Sequence, residues 1–187
     1  MPAPAFDALA PMLLGEVKKP FSDPAWAFEL KFDGYRLMAE VDGGRVRLKS
    51  RNGADATKWF PEVVEGLATL KGGRHVFDGE VAVLDEIGRS DFERLHARAR
   101  MRGYKPGADA VVFCAFDVLV AGGRDVTGHP LAKRKPRLER LLVSQPGSTL
   151  NVGHVVGDGD WLYRQAFDLK LEGIVAKRLD SPLFALA

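Results

Sequence analysis

The stretch 35–49 constrains the fold more than any other part of this chain. Tyr35, Leu37, Ala39 and Val41 alternate with Arg36, Met38, Glu40 and Asp42. After Gly43-Gly44, Val46 and Leu48 alternate with Arg45, Arg47 and Lys49. A period of two is the signature of a strand with one buried face, and Asp42-Gly43-Gly44 supplies the residues of a tight connection. The pattern predicts an antiparallel hairpin, and an early hairpin argues against a simple parallel sheet even though strands and helices are interleaved elsewhere.

The remaining elements follow from local signals. A strand is expected over 25–31. A helix is expected to open at Pro61, run through Val63, Val64, Leu67 and Leu70, and stop at Gly72-Gly73. A strand over 75–84 follows, and then Ser90-Asp91-Phe92-Glu93, in capping-box form, starts a basic helix reaching about Met101. A strongly apolar strand is expected over 110–120, helices over 131–143 and 160–169, and strands near 150–156 and 172–178. The expected class is α+β, with mixed, largely antiparallel sheets flanked by helices. With 187 residues and 46% hydrophobic content, one domain with a single substantial core is the default.

Charge and cysteine content exclude some functions. The balance of 27 basic against 25 acidic residues is too even to announce a nucleic-acid partner, so any such contact must come from local patches. Two candidates are the arginines of 92–102 and the run Lys133-Arg134-Lys135-Pro136-Arg137. A lone cysteine, Cys114, forbids a disulfide within the chain and a thiolate zinc cluster, and fits a reducing cytoplasm. The start Met1-Pro2-Ala3-Pro4-Ala5-Phe6-Asp7 has no secretory pattern, and no segment has the apolar length of a membrane span, so a soluble, unexported protein with no membrane partner is expected. His75, His96, His129 and His154 lack metal-ligand spacing, and neither a Ser/His/Asp set nor a Walker-type glycine loop is present.

The candidate chemistry centres on Lys31, at the end of a strand with Asp33 two residues on and Gly34 permitting a close backbone approach. A lysine that attacks phosphorus must be neutral, and burial beside cations is the general route to that state. Asp78 and Glu80 lie two apart and share a strand face. Phe116, in an apolar strand, reads on its residues alone as core.

Lys-x-Asp-Gly alone is common, but the run Phe28-Glu29-Leu30-Lys31-Phe32-Asp33-Gly34-Tyr35-Arg36 resembles the nucleotidyltransferase motif of ATP-dependent DNA ligases, RNA ligases and capping enzymes. Four more blocks resemble that family's later motifs in order: Ser50-Arg51-Asn52-Gly53, Phe77-Asp78-Gly79-Glu80, Phe113 through Phe116-Asp117, and Glu172-Gly173-Ile174-Val175-Ala176-Lys177-Arg178. The opening Pro11-Met12-Leu13-Leu14, Pro20-Phe21 and Trp26 are most similar to the ligase domain of bacterial multifunctional end-joining ligases.

The resemblance implies an ATP-grasp-like ligase core in which Lys31 takes AMP from ATP as pyrophosphate leaves. It implies Glu29 as acceptor for the adenine amino group and Phe116 as the ring stacked on adenine. Leu30, Arg36, Arg51 and Lys177 become further nucleotide contacts, and Glu80 and Glu172 the ligands of Mg²⁺ or Mn²⁺. The implied partners are nicked or broken double-stranded DNA and other end-joining repair proteins, in a bacterial cytoplasm at the nucleoid. The family continues into a lysine motif near Trp-Leu-Lys and an OB-fold domain, where this chain reads Leu183-Phe184-Ala185-Leu186-Ala187. The expected activity is therefore the adenylation half-reaction rather than complete sealing. Two alternatives stay open: a catalytically impaired nucleotide- or DNA-binding remnant, and a related RNA ligase or capping enzyme.

Overall fold

A computed structural model describes residues 3–145 and 147–183, so the Met1-Pro2 start and the closing residues 184–187 weighed above lie outside it. After a 3₁₀ turn at Phe6–Ala8 come β1 (Trp26–Leu30), β2 (Tyr35–Asp42), β3 (Arg45–Ser50), α1 (Pro61–Ala68), β4 (His75–Ala82) and α2 (Phe92–Arg100). The chain continues with β5 (Val112–Ala121), β6 (Arg124–Asp125), α3 (Leu131–Leu142), β7 (Thr149–Asn151), β8 (Val155–Val156), α4 (Gly159–Asp168) and β9 (Ile174–Arg178).

The hairpin forms as its period requires. β2 and β3 pair antiparallel with Asp42 opposite Arg45, and Gly43 and Gly44 take φ of 56° and 82°, positive at both turn positions. The larger sheet runs β3-β2-β4-β5-β6, with β7 added parallel to β5, and the smaller runs β8-β1-β9. All other described strand pairs are antiparallel, which bears out the mixed α+β expectation.

Alternation sorts the larger sheet into two faces. Leu37, Ala39, Val41, Phe77, Val81 and Phe113 point into a core completed by Val63 and Leu67 of α1, Leu95 of α2, and Leu138 and Leu142 of α3. The opposite face carries Arg36, Asp78 and Glu80, bordered by an apolar patch in which Met38, Val76 and Leu119 meet Phe6 and Leu9. The polar face is left open for chemistry, because the helices cover the other one. Beyond β9 the chain turns back to brace the two sheets: Leu131 and Ala132 donate backbone bonds to Ser181 and Leu179, both 3.0 Å. Buried Arg134 ties this crossing to β5 through the Asp117 carboxylate (2.8 and 2.9 Å) and the Ser181 carbonyl (3.0 Å).

Three local expectations are corrected. The first helix stops at Ala68, and Leu70 reaches the core from beyond it. The second helix begins at Phe92, so Asp91 rather than Ser90 is its cap, accepting from the Arg94 N–H at 3.0 Å. The single strand expected near 150–156 is two, β7 on the larger sheet and β8 on the smaller.

Candidate active site

Lys31 continues the pairing of β1, donating its N–H to the Gly173 carbonyl at 3.0 Å, and its Nζ forms an ion pair with the Glu172 carboxylate just ahead of β9. The chain then crosses from the smaller sheet to the larger. Ser90 Oγ, freed from capping duty, accepts the Asp33 N–H at 2.9 Å. Gly34 passes β4 so closely that a Cβ there would lie 2.3 Å from the Val81 carbonyl oxygen, which no side chain tolerates. The expected burial of Lys31 beside cations is not found. Its side chain is 40% exposed and its described partner is a carboxylate.

On the larger sheet, Arg36 stands opposite Glu80 and grips Asp78 with two bonds of 2.7 Å. Burial works against the Arg36 charge, but the bonds to Asp78 outweigh it and hold the guanidinium above its ordinary range. Burial pushes the Glu80 carboxyl up to about 7, against the pull of Arg36 and Lys31. Between Asp78 and Glu80, Gly79 lets the Phe113 ring pack against the backbone, where a Cβ would meet ring carbons at 2.6 Å.

Phe116 sits at a β-bulge. Asp78 pairs with Asp117 and Gly79 with Ala115, so residue 116 has no partner across β4 and the ladder shifts there. Phe113 and Ala115 face the core, so alternation puts the Phe116 ring on the opposite face, where it is partly exposed, and Arg36 Cζ and Lys177 Nζ each lie 4.4 Å from its centroid.

Glu29, on β1, is 2% exposed, and its Oε2 accepts from Lys177 Nζ at 2.7 Å. Lys135 Nζ sits 2.9 Å from Oε1 as an ion pair, yet it directs its hydrogen bonds to the Val152 carbonyl at 2.7 Å and the Phe116 carbonyl at 3.5 Å. Buried Glu29 Oε1 thus has this ion pair but no hydrogen bond, and keeps acceptor capacity to spare. Lys135 was missed by the sequence reading, which assigned it to a basic surface patch. A signal was present: Leu131, Lys135, Leu138 and Leu142 fall on one stripe of α3, the buried one.

The cleft therefore gathers Glu29, Lys31, Glu172 and Lys177 from the smaller sheet and Arg36, Glu80 and Phe116 from the larger. Leu30 alternates with Glu29 and Lys31, which puts its side chain on the opposite face of β1. Arg51 is exposed at the rim, its N–H donating to the Arg36 carbonyl at 3.1 Å. The basic patches are corrected in part. Arg98 is 0% exposed and grips Glu62, and Arg134 and Lys135 are buried in the brace and the cleft, whereas Arg94, Arg100, Arg102 and Lys133 stay exposed. Among the described residues no three His, Cys, Asp or Glu side chains converge as a metal cluster. Glu80 and Glu172, both within the electrostatic reach of Lys31, offer hard oxygen donors that suit a divalent ion completed by water and phosphate. No described helix is long and apolar enough to cross a membrane.

Comparison with known proteins places this geometry. A family model for the ATP dependent DNA ligase domain matches residues 11–183. The chain is 39% identical over 175 residues to the multifunctional non-homologous end joining protein LigD of Pseudomonas aeruginosa, covering 92% of this chain and 20% of that protein. It is 35% identical over 174 residues to the SPbeta prophage-derived DNA ligase-like protein LigB of Bacillus subtilis, covering 93% of this chain and 62% of that one. The solved structure of mycobacterial DNA ligase D complexed with ATP and MES superposes with a TM-score of 0.82 at 35% identity, over 97% of this chain and 57% of that one. The chain spans less than two thirds of each of these relatives.

Proposed function

The chain belongs to the ATP-dependent DNA ligase domain family, and from that premise we propose that its cleft carries out the adenylation half-reaction. Lys31 Nζ attacks the α-phosphorus of ATP, a P–N bond forms, the bond to the β-phosphate oxygen breaks, and pyrophosphate leaves. The adenylyl group is then available to the 5′-phosphate of nicked or broken double-stranded DNA, with end-joining repair in the bacterial cytoplasm as the setting.

The observation that carries this reading is Glu29. A buried carboxylate with one unfilled acceptor, beside an out-turned aromatic ring, suits a flat amino-bearing base. Phe116 stacks the adenine, Glu29 accepts from its amino group, and Lys31 lies at the open end of the same strand, where the phosphates reach. Arg36 and Lys177 supply positive charge to a cleft that receives an anion. Arg51, at the rim, is positioned for phosphate or ribose, and the Leu30 backbone lines the base. Glu80 and Glu172 would hold Mg²⁺ or Mn²⁺, which supplies neutralisation of phosphate charge.

Incubation with α-labelled ATP and Mg²⁺ followed by denaturing electrophoresis tests the proposal. The wild-type chain takes up covalent label and Lys31→Ala does not; label persisting in Lys31→Ala removes the nucleophile assignment. Unlabelled ATP competes and GTP does not, whereas equal competition points to a capping-type relative.

A further inference from the structure

We infer that Lys135 is a positioning residue for nucleotide choice, holding the Glu29 carboxylate where it accepts from a purine amino group and opposes a purine carbonyl. The inference rests on the adenine-binding reading above and adds to it a residue that touches no ligand.

An ammonium buried at 3% exposure is unfavourable unless something in the structure holds it there. Lys135 has three reasons to be held. It pairs with Glu29 of β1, donates to the Val152 carbonyl beyond β7, and reaches the Phe116 carbonyl at the bulge of β5. One side chain thus fixes the carboxylate that reads the base relative to the strand that carries the stacking ring. Lys177 takes the other carboxylate oxygen and lies over the same ring. Burial pulls the Lys135 amine down from its ordinary range, and the charge of Glu29 opposes that pull.

The other charged groups facing this corner do not replace Lys135. His154, between β7 and β8, is itself pushed down by burial and by the charge of Lys135. Asp117 is engaged by Arg134. Held between two lysines, the Glu29 carboxylate is fixed in one orientation. An amino group at C6 of the purine donates to the acceptor capacity that Oε1 keeps beyond its ion pair, whereas a carbonyl there sets acceptor against acceptor. Without Lys135 the carboxylate loses one of its two anchors and can turn from the position that opposes a carbonyl.

Equilibrium binding of ATP and of inosine triphosphate, which differs by an oxygen in place of the 6-amino group, tests this on the full chain by titration calorimetry without divalent metal. In the wild type ATP binds more tightly, and Lys135→Met narrows the preference by about 10- to 100-fold, the size of one charge-assisted hydrogen bond. Lys135→Gln keeps a donor for Val152 without the charge and gives the same narrowing; it decides the matter if Lys135→Met does not fold. Loss of both affinities by an equal factor would make Lys135 merely structural and overturn the inference. Glu29→Gln separates this from failure of the adenine reading. If it abolishes the preference while the Lys135 variants keep it, only the present inference falls, and if it leaves the preference intact, the adenine reading falls first.

Discussion

Replacing Phe116 with alanine removes a ring that lies on the open face of the sheet rather than in the core, so its effects on folding and on binding separate. In the protein without nucleotide the ring meets Arg36 and Lys177, each 4.4 Å from its centroid. Cation–π contacts at partly exposed sites contribute about 0.5–1 kcal/mol each. Both cations keep their carboxylate partners, Asp78 and Glu29, when the ring is gone. The expected loss of stability is about 1–2 kcal/mol, a fall of a few degrees in Tm for a domain of this size. Stacking a base on an aromatic side chain is worth about 1–3 kcal/mol. ATP must first displace or share the ring with at least one cation, which offsets about 0.5–1 kcal/mol of that. The net loss on Phe116→Ala is then roughly 0–2.5 kcal/mol with a midpoint near 1.3, an increase in Kd of about 8-fold at the midpoint. Calorimetric titration with ATP in metal-free buffer measures it directly, and thermal melting supplies the control. A cooperative transition near the wild-type Tm together with a Kd within about twofold of wild type would show that the base binds elsewhere.

Two further outcomes follow from buried charge. Glu80 has a folded value of about 7 against an ordinary 4.5, so its favourable contribution is complete below the ordinary value and is lost as pH rises through about 7. Glu80→Gln should therefore match the wild type in guanidinium denaturation at pH 4 and exceed it at pH 8 by on the order of 2–3 kcal/mol; an equal difference at both pH values refutes this. Arg98, fully buried, donates to Glu62 and to the carbonyls of Trp59 and Gly103. Arg98→Ala leaves those acceptors unpaired and should cost about 3–5 kcal/mol of stability without weakening nicked-duplex binding at temperatures where the variant is folded. Reduced duplex affinity at unchanged Tm would restore Arg98 as a DNA contact.

Alternation carried much of this fold in the sequence. A period of two over 35–49 specified a hairpin, and the same period on β4 put Asp78 and Glu80 on one face, away from the core face of Phe77 and Val81. Phe116 was not legible this way, because the run Val111-Val112-Phe113-Cys114-Ala115-Phe116 has no polar alternation to show which parity faces the core. Pairing with β4 fixes that parity by setting Phe113 opposite Val81, and the bulge at Phe116 likewise depends on the count of residues against the neighbouring strand. Three cations of the basic segments misled for a related reason. Charge composition says nothing of burial, and Arg98, Arg134 and Lys135 each find a carboxylate supplied by another element: Glu62, Asp117 and Glu29. The lysine motif itself was legible as a resemblance, while the exposure of Lys31 was not, since that depends on how far apart the two sheets sit.

That exposure bears on how Lys31 becomes reactive. An amine attacks phosphorus only when neutral, and a carboxylate partner favours the ammonium, so the Lys31–Glu172 pair opposes the chemistry proposed for the same lysine. The opposition is weak. With side chains 40% and 30% exposed, such a pair contributes on the order of 0–1 kcal/mol, and solvent and salt reduce it further. Compare Arg36–Asp78, where the carboxylate is 1% exposed and two short bonds hold the pair closed. The cleft therefore contains one pair built to stay and one built to part. Drawing the Glu172 carboxylate away from Lys31 therefore costs little, whereas opening Arg36–Asp78 would expose a buried carboxylate. The buried, cation-flanked lysine expected from the sequence is replaced by an exposed one whose described counter-charge is cheap to displace.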